Sequence, residues 1–427
     1  MKNLSERIAK LTDEQLVLLK QHLMTDRPLA NKDDIDWKTE ATLDLSIYPK
    51  GATENPGIDP QALFVTGASG FLGTFLVHEL TQQTRAKIYC LVRAASTVEA
   101  LVKLNKNWTK YGFTSLESNS RIIPVLGDLA KPCLGIQEDR LTQLSEEVDV
   151  IYHNGTLVNF VYPYKTLKPT NVLGTEEILR FACTGKTKPV HYISTISVFG
   201  DSSSSSRQGF TENEMPPEIS CAMGGYAQSK WVAECLVRMA GFRGLPVCIY
   251  RPSLITGDSW TGVWNTDDFL SRMINACILL GKAPQEEIFL DTVSVDYVSR
   301  ALVYLSGRLE SYGKIFHLTN PVLLSSRNLI DWARSLGYSI ETIPFDSWLN
   351  VLRAEVGYSM NHPFSLLMAI LEQEKKSSEN LASTVQRFDC RQVLEALAGT
   401  DILCPAPNEE LWHMYLSRFI NQSEGAM

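Results

Sequence analysis

The sequence predicts an α/β fold: a doubly wound parallel sheet, preceded by a helical arm and followed by a smaller mixed α/β region. Three observations predict it. Short apolar runs that do not alternate recur between residues 62 and 257, as strands buried on both faces require. Segments of helical spacing separate them. The first run leads directly into a glycine-rich turn that opens a helix.

The chain has 427 residues, enough for roughly two to three domains. Its 44% hydrophobic and 21% charged residues are ordinary for a folded soluble protein. A net charge of -8 argues against a general nucleic-acid binder, which needs a basic footprint. No apolar run is long enough to span a bilayer, and "MKNLSERIAKLTDEQ" lacks the apolar stretch of a signal peptide. The nine Cys, an odd number without any CxxC, read as reduced thiols in a cytoplasmic protein. The seven His form no HExxH and no cluster with Cys, so no metal site is expected.

Residues 1–58 form a first region. Leu4, Ile8 and Leu11 have helical spacing, and Leu16, Leu19 and Leu23 repeat it after Thr12 and Gln15, a capping-box pair. Two short amphipathic helices are expected, then a polar linker rich in Pro and Asp. The arm either packs on the main domain or forms an interface to another; the spacing does not decide. Residues 59–257 form the second region. "ALFVTG" is its first strand and "FLGTFLVHELTQQ" its first helix. "KIYCLVRA", "RIIPVLGDL" and "VDVIYHNG" are strands two to four. "TLKPTNVLGTEEILRFACT" is a helix, "VHYISTISVFG" the fifth strand, "GGYAQSKWVAECLVRMAGFRG" a helix and "PVCIYRPSLITG" the sixth strand. Residues 201–218, with a serine tract, are either a mobile insertion or a flap over the carboxyl end of the sheet. Residues 258–427 mix helices and short strands and are expected to form a smaller substrate domain, with segments returning to the sheet.

In "VTGASGFLG", Gly67, Gly70 and Gly73 stand between strand and helix. The first permits the tight turn, the second lets backbone approach a pyrophosphate, and the third lets helix and strand pack closely. The helix N-terminus then offers free N–H groups to phosphates. This is the context a Rossmann dinucleotide site needs. The second strand ends in "CLVRAAS", with Arg93 where an NAD site carries an acid. A guanidinium there suits a 2′-phosphate, so NADPH is the expected cofactor. Asp128 and Leu129 follow the third strand, where an adenine edge is bound or an Asp simply forms a turn.

"YAQSK" places Tyr226 one helical turn before Lys230. Alone, such a pair is usually packing or solvated surface. Here it opens the helix after the fifth strand, whose end carries Ser194 and Thr195. A Tyr with a pKa of about 10 keeps its proton at neutral pH, and a neighbouring ammonium makes it a better donor. That suits a general acid for an oxyanion left by hydride attack, a role commonly contributing ~10²–10⁴-fold. A hydroxyl polarising the same oxygen completes the set.

Together "TGASGFLG", "LVR", "GDL", "NVLGT", "STISV" and "YAQSK" resemble the extended short-chain dehydrogenase/reductases. The segments "VSVDYVSRALVYLS", "FHLTNP", "GYSIETIPFDSWL" and "FDCRQVLEAL", followed by "CPAP", are similar to the thioester reductase domains of nonribosomal peptide synthetases and carboxylic acid reductases. "LSERIAKLTDEQ" and "LDLSIYP" look like what precedes such domains in synthetases. The resemblance implies Thr195, rather than Ser194, with Tyr226 and Lys230 as the catalytic set, Lys230 also holding the nicotinamide ribose. It implies Gly67, Ser69, Gly70, Phe71 and Leu72 as the phosphate loop and Arg93 as the 2′-phosphate contact. A second Arg often follows ten residues later; this chain has Lys103 there. Asn154 and Gly155 lie near the path of the nicotinamide ribose, and Asn171 reads as a structural hydrogen-bonder. The implied reaction is NADPH-dependent release of a thioester from a carrier protein's phosphopantetheine arm as aldehyde, with further reduction to alcohol as an option. No adenylation domain and no G-G-x-S carrier site is seen, so the carrier comes from elsewhere or the chain is a piece of a larger enzyme. For an acidic carrier, "GKTKP" (185–189) and the N-terminal arm are the candidate basic patches. Two rival readings share the cofactor fold: a reductase or epimerase of a free small molecule, and a nonenzymatic NADPH sensor.

Overall fold

Every residue of Ala62–Thr66 (β1), Val150–His153 (β4), Val190–Ile193 (β5) and Val247–Pro252 (β6) is buried in the computed structural model. Strands covered on both faces have no reason to alternate, which is why these runs read as continuous apolar stretches. With Lys87–Val92 (β2), Ile122–Leu126 (β3) and a seventh strand, Ile315–Leu318, they form one parallel sheet. Its order is β3-β2-β1-β4-β5-β6 and then Ile315–Leu318. The order reverses between β1 and β4, the switch point where such sheets bind ligands. Pro124 sits in β3, an edge strand, where a missing N–H is tolerated. The structure describes residues 35–50, 59–116, 119–200, 209–219, 223–357, 362–377 and 387–424. The two amphipathic helices expected before residue 24 and the serine tract at 202–206 lie outside the described residues.

Residues 1–41 and 42–427 form two units. Of the first, the described part carries a one-turn helix, Trp37–Glu40, capped by the Asp36 carboxylate, which accepts from Lys38 N at 3.1 Å. In the second, Phe71–Gln83 (α1) follows β1, Thr97–Lys110 (α2) follows β2 and Glu138–Glu147 (α3) follows β3. The α2 start is capped as "STVE" suggests: Glu99 N donates to Ser96 Oγ at 3.2 Å, while the Glu99 carboxylate reaches one residue past the N-cap and accepts from Ala95 N at 2.8 Å. The single helix expected over 166–184 is instead Tyr164–Lys168 (α4), a π turn Pro169–Leu173, and Gly174–Ala182 (α5). Pro169 lacks the N–H that would continue the α ladder, and the wider turn absorbs the break.

Two expected strands are shorter than the sequence suggested. The fifth ends at Ile193, after which Thr195 caps a 3₁₀ turn, Ile196–Phe199. The sixth ends at Pro252; Ser253 N donates to Leu318 O at 3.1 Å, and Leu254–Thr256 pairs with Thr292–Ser294. Gly225–Phe242 (α6) covers β5 and β6, while Val295–Ser306 packs beside α1. Residues beyond 257 also build two apolar clusters of their own, one around Trp264, Trp412 and Tyr415 and one around Trp348, Leu352 and Leu367. The "LDLSIYP" segment is docked: Arg243 Nη atoms donate to the carbonyls of Leu43 at 2.8 Å and Asp44 at 2.6 Å, and Leu43 and Ile47 are buried. Among the described residues, no helix is long and apolar enough to cross a membrane.

Candidate active site

The turn after β1 is shaped by backbone crowding. Gly67 has φ +70°, and a Cβ there would lie 2.8 Å from Gly155 Cα. A Cβ on Gly73 would lie 1.9 Å from the Gly67 carbonyl oxygen, so α1 can lie this close to the turn only with glycine. Gly70 is the N-cap of α1 and has no side chain to occupy its N-terminal N–H groups. These features fit a pyrophosphate, since they leave a dipole end and open backbone where an anion is received.

A cavity of about 700 Å³ runs along the carboxyl edge of the sheet from this turn. Gly67, Ser69, Gly70, Phe71, Leu72, Gly73, Arg93, Asp128, Leu129, Asn154, Gly155, Thr195, Tyr226 and Lys230 all line it. Lys103 is not among the lining residues. Its ammonium donates to the Arg93 carbonyl at 2.7 Å and pairs with Glu99 at 2.8 Å, so it supports the backbone under Arg93. Asp128 Oδ1 accepts from Ala130 N at 3.0 Å, the turn-forming role. Leu129 packs where a Cβ on Gly155 or Gly174 would collide with it, which explains the glycine in "NVLGT". Asn171 is a structural clamp: its side chain accepts from Leu157 N at 2.7 Å and donates to Ser229 Oγ at 2.9 Å.

At the far end, Tyr226 and Lys230 share one face of α6. Lys230 is buried, donates to Ile193 O at 2.7 Å and lies 4.3 Å from the centre of the Tyr192 ring. Burial pushes its pKa down to about 7, against the opposing pull of Glu234. Burial pushes the Tyr226 phenol up to about 12, so it stays protonated. The Thr195 hydroxyl accepts from Ser197 N at 3.1 Å. Ser194, its neighbour, is committed elsewhere: Oγ donates to Glu234 Oε2 at 2.7 Å.

The residues from 65 to 302, more than half the chain, match the family model described as Male sterility protein. The chain belongs to this family. It is 40% identical over 381 residues to a linear gramicidin synthase subunit of Brevibacillus parabrevis, covering 89% of this chain and 7% of that protein. It is 33% identical to the L-2-aminoadipate reductase large subunit of Eremothecium gossypii, covering 81% and 26%. The chain thus spans well under half the length of these curated relatives. Among solved structures it is similar to the terminal R domain from the myxalamid PKS-NRPS biosynthetic pathway, with a TM-score of 0.83, 40% identity, and 91% and 98% of the two chains covered. An R domain of a Mycobacterium tuberculosis nonribosomal peptide synthetase matches at a TM-score of 0.69 and 27% identity, with 91% and 95% covered. The chain is a reductase domain of this type, an oxidoreductase that uses a nicotinamide cofactor.

Several groups of the reductase domain's site escaped the sequence reading. A one-way hydrogen-bond chain runs beneath the cavity. Gly155 N donates to Thr66 Oγ1 at 2.8 Å, Thr66 faces His153 Nδ1 at 2.8 Å, and His153 Nε2 faces Thr175 Oγ1 at 2.9 Å. Thr175 donates onward to Asn171 O at 2.7 Å, so its oxygen accepts from His153. The imidazole is therefore neutral with its proton on Nε2, consistent with burial, then Lys230, pushing its pKa down to about 3. Asn107 of α2 donates to the Ser69 carbonyl and steadies the glycine-rich turn. Phe269, Leu270, Leu366, Leu367 and Ile370, from the part of the chain beyond 257, also line the cavity. Long-range contacts of this kind leave no local spacing to read. Glu234 did leave one, since it continues the Tyr226–Lys230 stripe by another four residues. The "GKTKP" lysines are occupied: Lys186 pairs with Asp149 at 2.6 Å, and buried Lys188 donates to the carbonyls of Thr184 and Lys186. Among the described residues, no cluster of His, Cys, Asp and Glu could hold a metal ion.

Proposed function

We propose that the domain reduces an acyl or peptidyl thioester, presented on the phosphopantetheine arm of a carrier protein, to an aldehyde with NADPH. The observation that carries this reading is a continuous cavity lined by the phosphate loop, by Thr195, Tyr226 and Lys230, and by an apolar wall beyond them. The names of the relatives, a gramicidin synthase subunit and synthetase R domains, support the carrier-bound thioester. Arg93 at the β2 end of the cavity, without an acid in its place, supports NADPH over NADH.

Gly67, Ser69, Gly70 and the α1 N-terminus would hold the pyrophosphate, Arg93 the 2′-phosphate, and Lys230 with Asn154 and Gly155 the nicotinamide ribose. Bound NADPH supplies the hydride. Thr195 and Tyr226 donate hydrogen bonds to the thioester carbonyl oxygen, and these strengthen as it becomes an oxyanion. Tyr226 then gives that oxygen its proton, and the Lys230 ammonium one turn along makes the phenol a better donor. The thiohemiacetal formed in this way collapses: the C–S bond breaks, the sulfur leaves as the carrier thiol, and the aldehyde departs. Further reduction of the aldehyde to alcohol would need a hydride from a second NADPH, with Thr195 and Tyr226 again donating to the oxygen.

Tyr226→Phe tests the assignment. Turnover should fall by at least ~10²-fold, the usual contribution of a general acid, while NADPH affinity is unchanged. A Tyr226→Phe enzyme with near-normal turnover would contradict it.

A further inference from the structure

Glu234 is 1% exposed and carries a full negative charge into the interior beside the proposed catalytic groups. Four donors surround its carboxylate. Oε1 accepts from Arg251 Nη2 at 2.5 Å and from Arg238 Nε at 3.0 Å. Oε2 accepts from Arg251 Nε at 3.1 Å and from the Ser194 hydroxyl at 2.7 Å. Arg251 comes from β6 and is fully buried, while Arg238 is one turn further along α6.

A buried ion pair needs its lone pairs filled to offset desolvation, and two guanidinium groups already do much of that. The Ser194 contact is therefore not needed to neutralise the charge. What it does is geometric. The chain leaves β5 at Ile193, and the next residues are Ser194 and Thr195. Ile193 O is held by Lys230 at 2.7 Å, and Ser194 Oγ by Glu234, the next turn of the same helix face. Ser194 N also donates to Tyr250 O at 2.7 Å, fixing the segment to β6. Two consecutive residues immediately before Thr195 are thus tied to the helix that carries Tyr226.

We propose that Glu234 is a positioning residue: by holding Ser194 it sets where the Thr195 hydroxyl stands relative to Tyr226. The inference rests on the reading of Thr195 and Tyr226 as the groups that meet the substrate oxygen. Arg251 is the anchor that keeps the carboxylate still, donating also to Glu212 O at 3.4 Å and Glu214 O at 3.5 Å. The clamp thereby spans α6, the ends of β5 and β6, and the segment that follows the serine tract.

Ser194→Ala cuts the tether while leaving Glu234 with both arginines, so the fold should survive. The test is a double-mutant cycle of Ser194→Ala with Thr195→Ala, read as NADPH oxidation on the best carrier-bound acyl thioester of a chain-length panel. Ser194→Ala alone should lower kcat at least about tenfold, as a misplaced reacting group does, with KM for NADPH unchanged. In the Thr195→Ala background it should cause no further loss, because nothing remains to be positioned. Glu234→Gln, if it folds, should show the same dependence on Thr195. An equal fold-loss from Ser194→Ala in both backgrounds, or wild-type kcat for that variant, would overturn the clamp. A fully active Thr195→Ala enzyme would instead overturn the catalytic reading and the clamp with it.

Discussion

The Lys230 ammonium donates at 2.7 Å to the carbonyl of Ile193, the last residue of β5. One bond thus joins the helix of Tyr226 to the strand that delivers Thr195; a neutral amine still donates it, but only the ammonium makes it charge-assisted and sets a positive charge one turn from the Tyr226 phenol. With burial holding its pKa down to about 7, the ammonium form is lost as pH rises through neutrality. The expected result is that kcat/KM for the thioester falls as pH rises above about 7. Lys230→Met should be slow at every pH, and its profile should lose this limb. A wild-type profile flat from pH 6 to 9, measured by NADPH oxidation, would contradict the role assigned to this ammonium.

Arg93 is exposed at the end of β2 and lines the cavity. A charge-assisted hydrogen bond contributes roughly 1.5–3 kcal/mol, about tenfold to a hundredfold in affinity. Arg93→Ala should therefore weaken NADPH by that factor and leave NADH almost unchanged. Lys103→Ala should weaken NADPH far less, because its ammonium is held by the Arg93 carbonyl and Glu99. Titration calorimetry of both cofactors against both variants checks this.

Gly73 cannot carry a side chain. A methyl there would sit 1.9 Å from the Gly67 carbonyl oxygen, so Gly73→Ala must push α1 away from the glycine-rich turn. The variant should lose NADPH binding and melt at a lower temperature, overpacking typically costing ~1–3 kcal/mol or more. Gly307→Ala is the control, since the atom nearest an added Cβ, Tyr304 O, would be 3.8 Å away, and it should leave both quantities unchanged.

Glu234 makes stability depend on acid. Burial alone would raise its pKa, but Arg251, then Arg238 and Ser194, hold it down to about 2, from an ordinary 4.5. A carboxylate whose folded pKa is depressed adds stability above its unfolded pKa, and that stability is lost as pH falls toward the folded value. The contribution is on the order of 3 kcal/mol. Denaturant midpoints should fall between about pH 4.5 and 2 in the wild type. In Glu234→Gln the starting stability should be lower and the fall shallower.

Much of the fold was legible because buried strands and glycine-rich turns write themselves in adjacent residues. β1, β2 and β4 are apolar runs, Gly67, Gly70 and Gly73 have fixed offsets, and Tyr226 and Lys230 share a helix face. Strand ends were less legible. "STISV" keeps the β-branched Thr195, Ile196 and Val198 directly after β5, yet Thr195 turns the chain by accepting from Ser197 N, a choice β propensity does not encode. The partner of a buried charge was illegible. Nothing near Glu234 in the sequence points to Arg251 on β6, or shows that Lys188 serves the carbonyls of the turn after α5 rather than a surface. The apolar wall is likewise assembled from residues nearly a hundred positions apart, Phe269 and Leu366.

Product analysis tests thioester reduction itself. The purified domain is given NADPH and a panel of acyl groups on a phosphopantetheinylated carrier, with NADH and free acyl-CoA as controls, and products are identified by mass spectrometry. NADPH oxidation with release of an aldehyde or alcohol and recovery of the free carrier thiol is the expected result. Tight NADPH binding with no turnover of any carrier-bound thioester would contradict the proposed reaction.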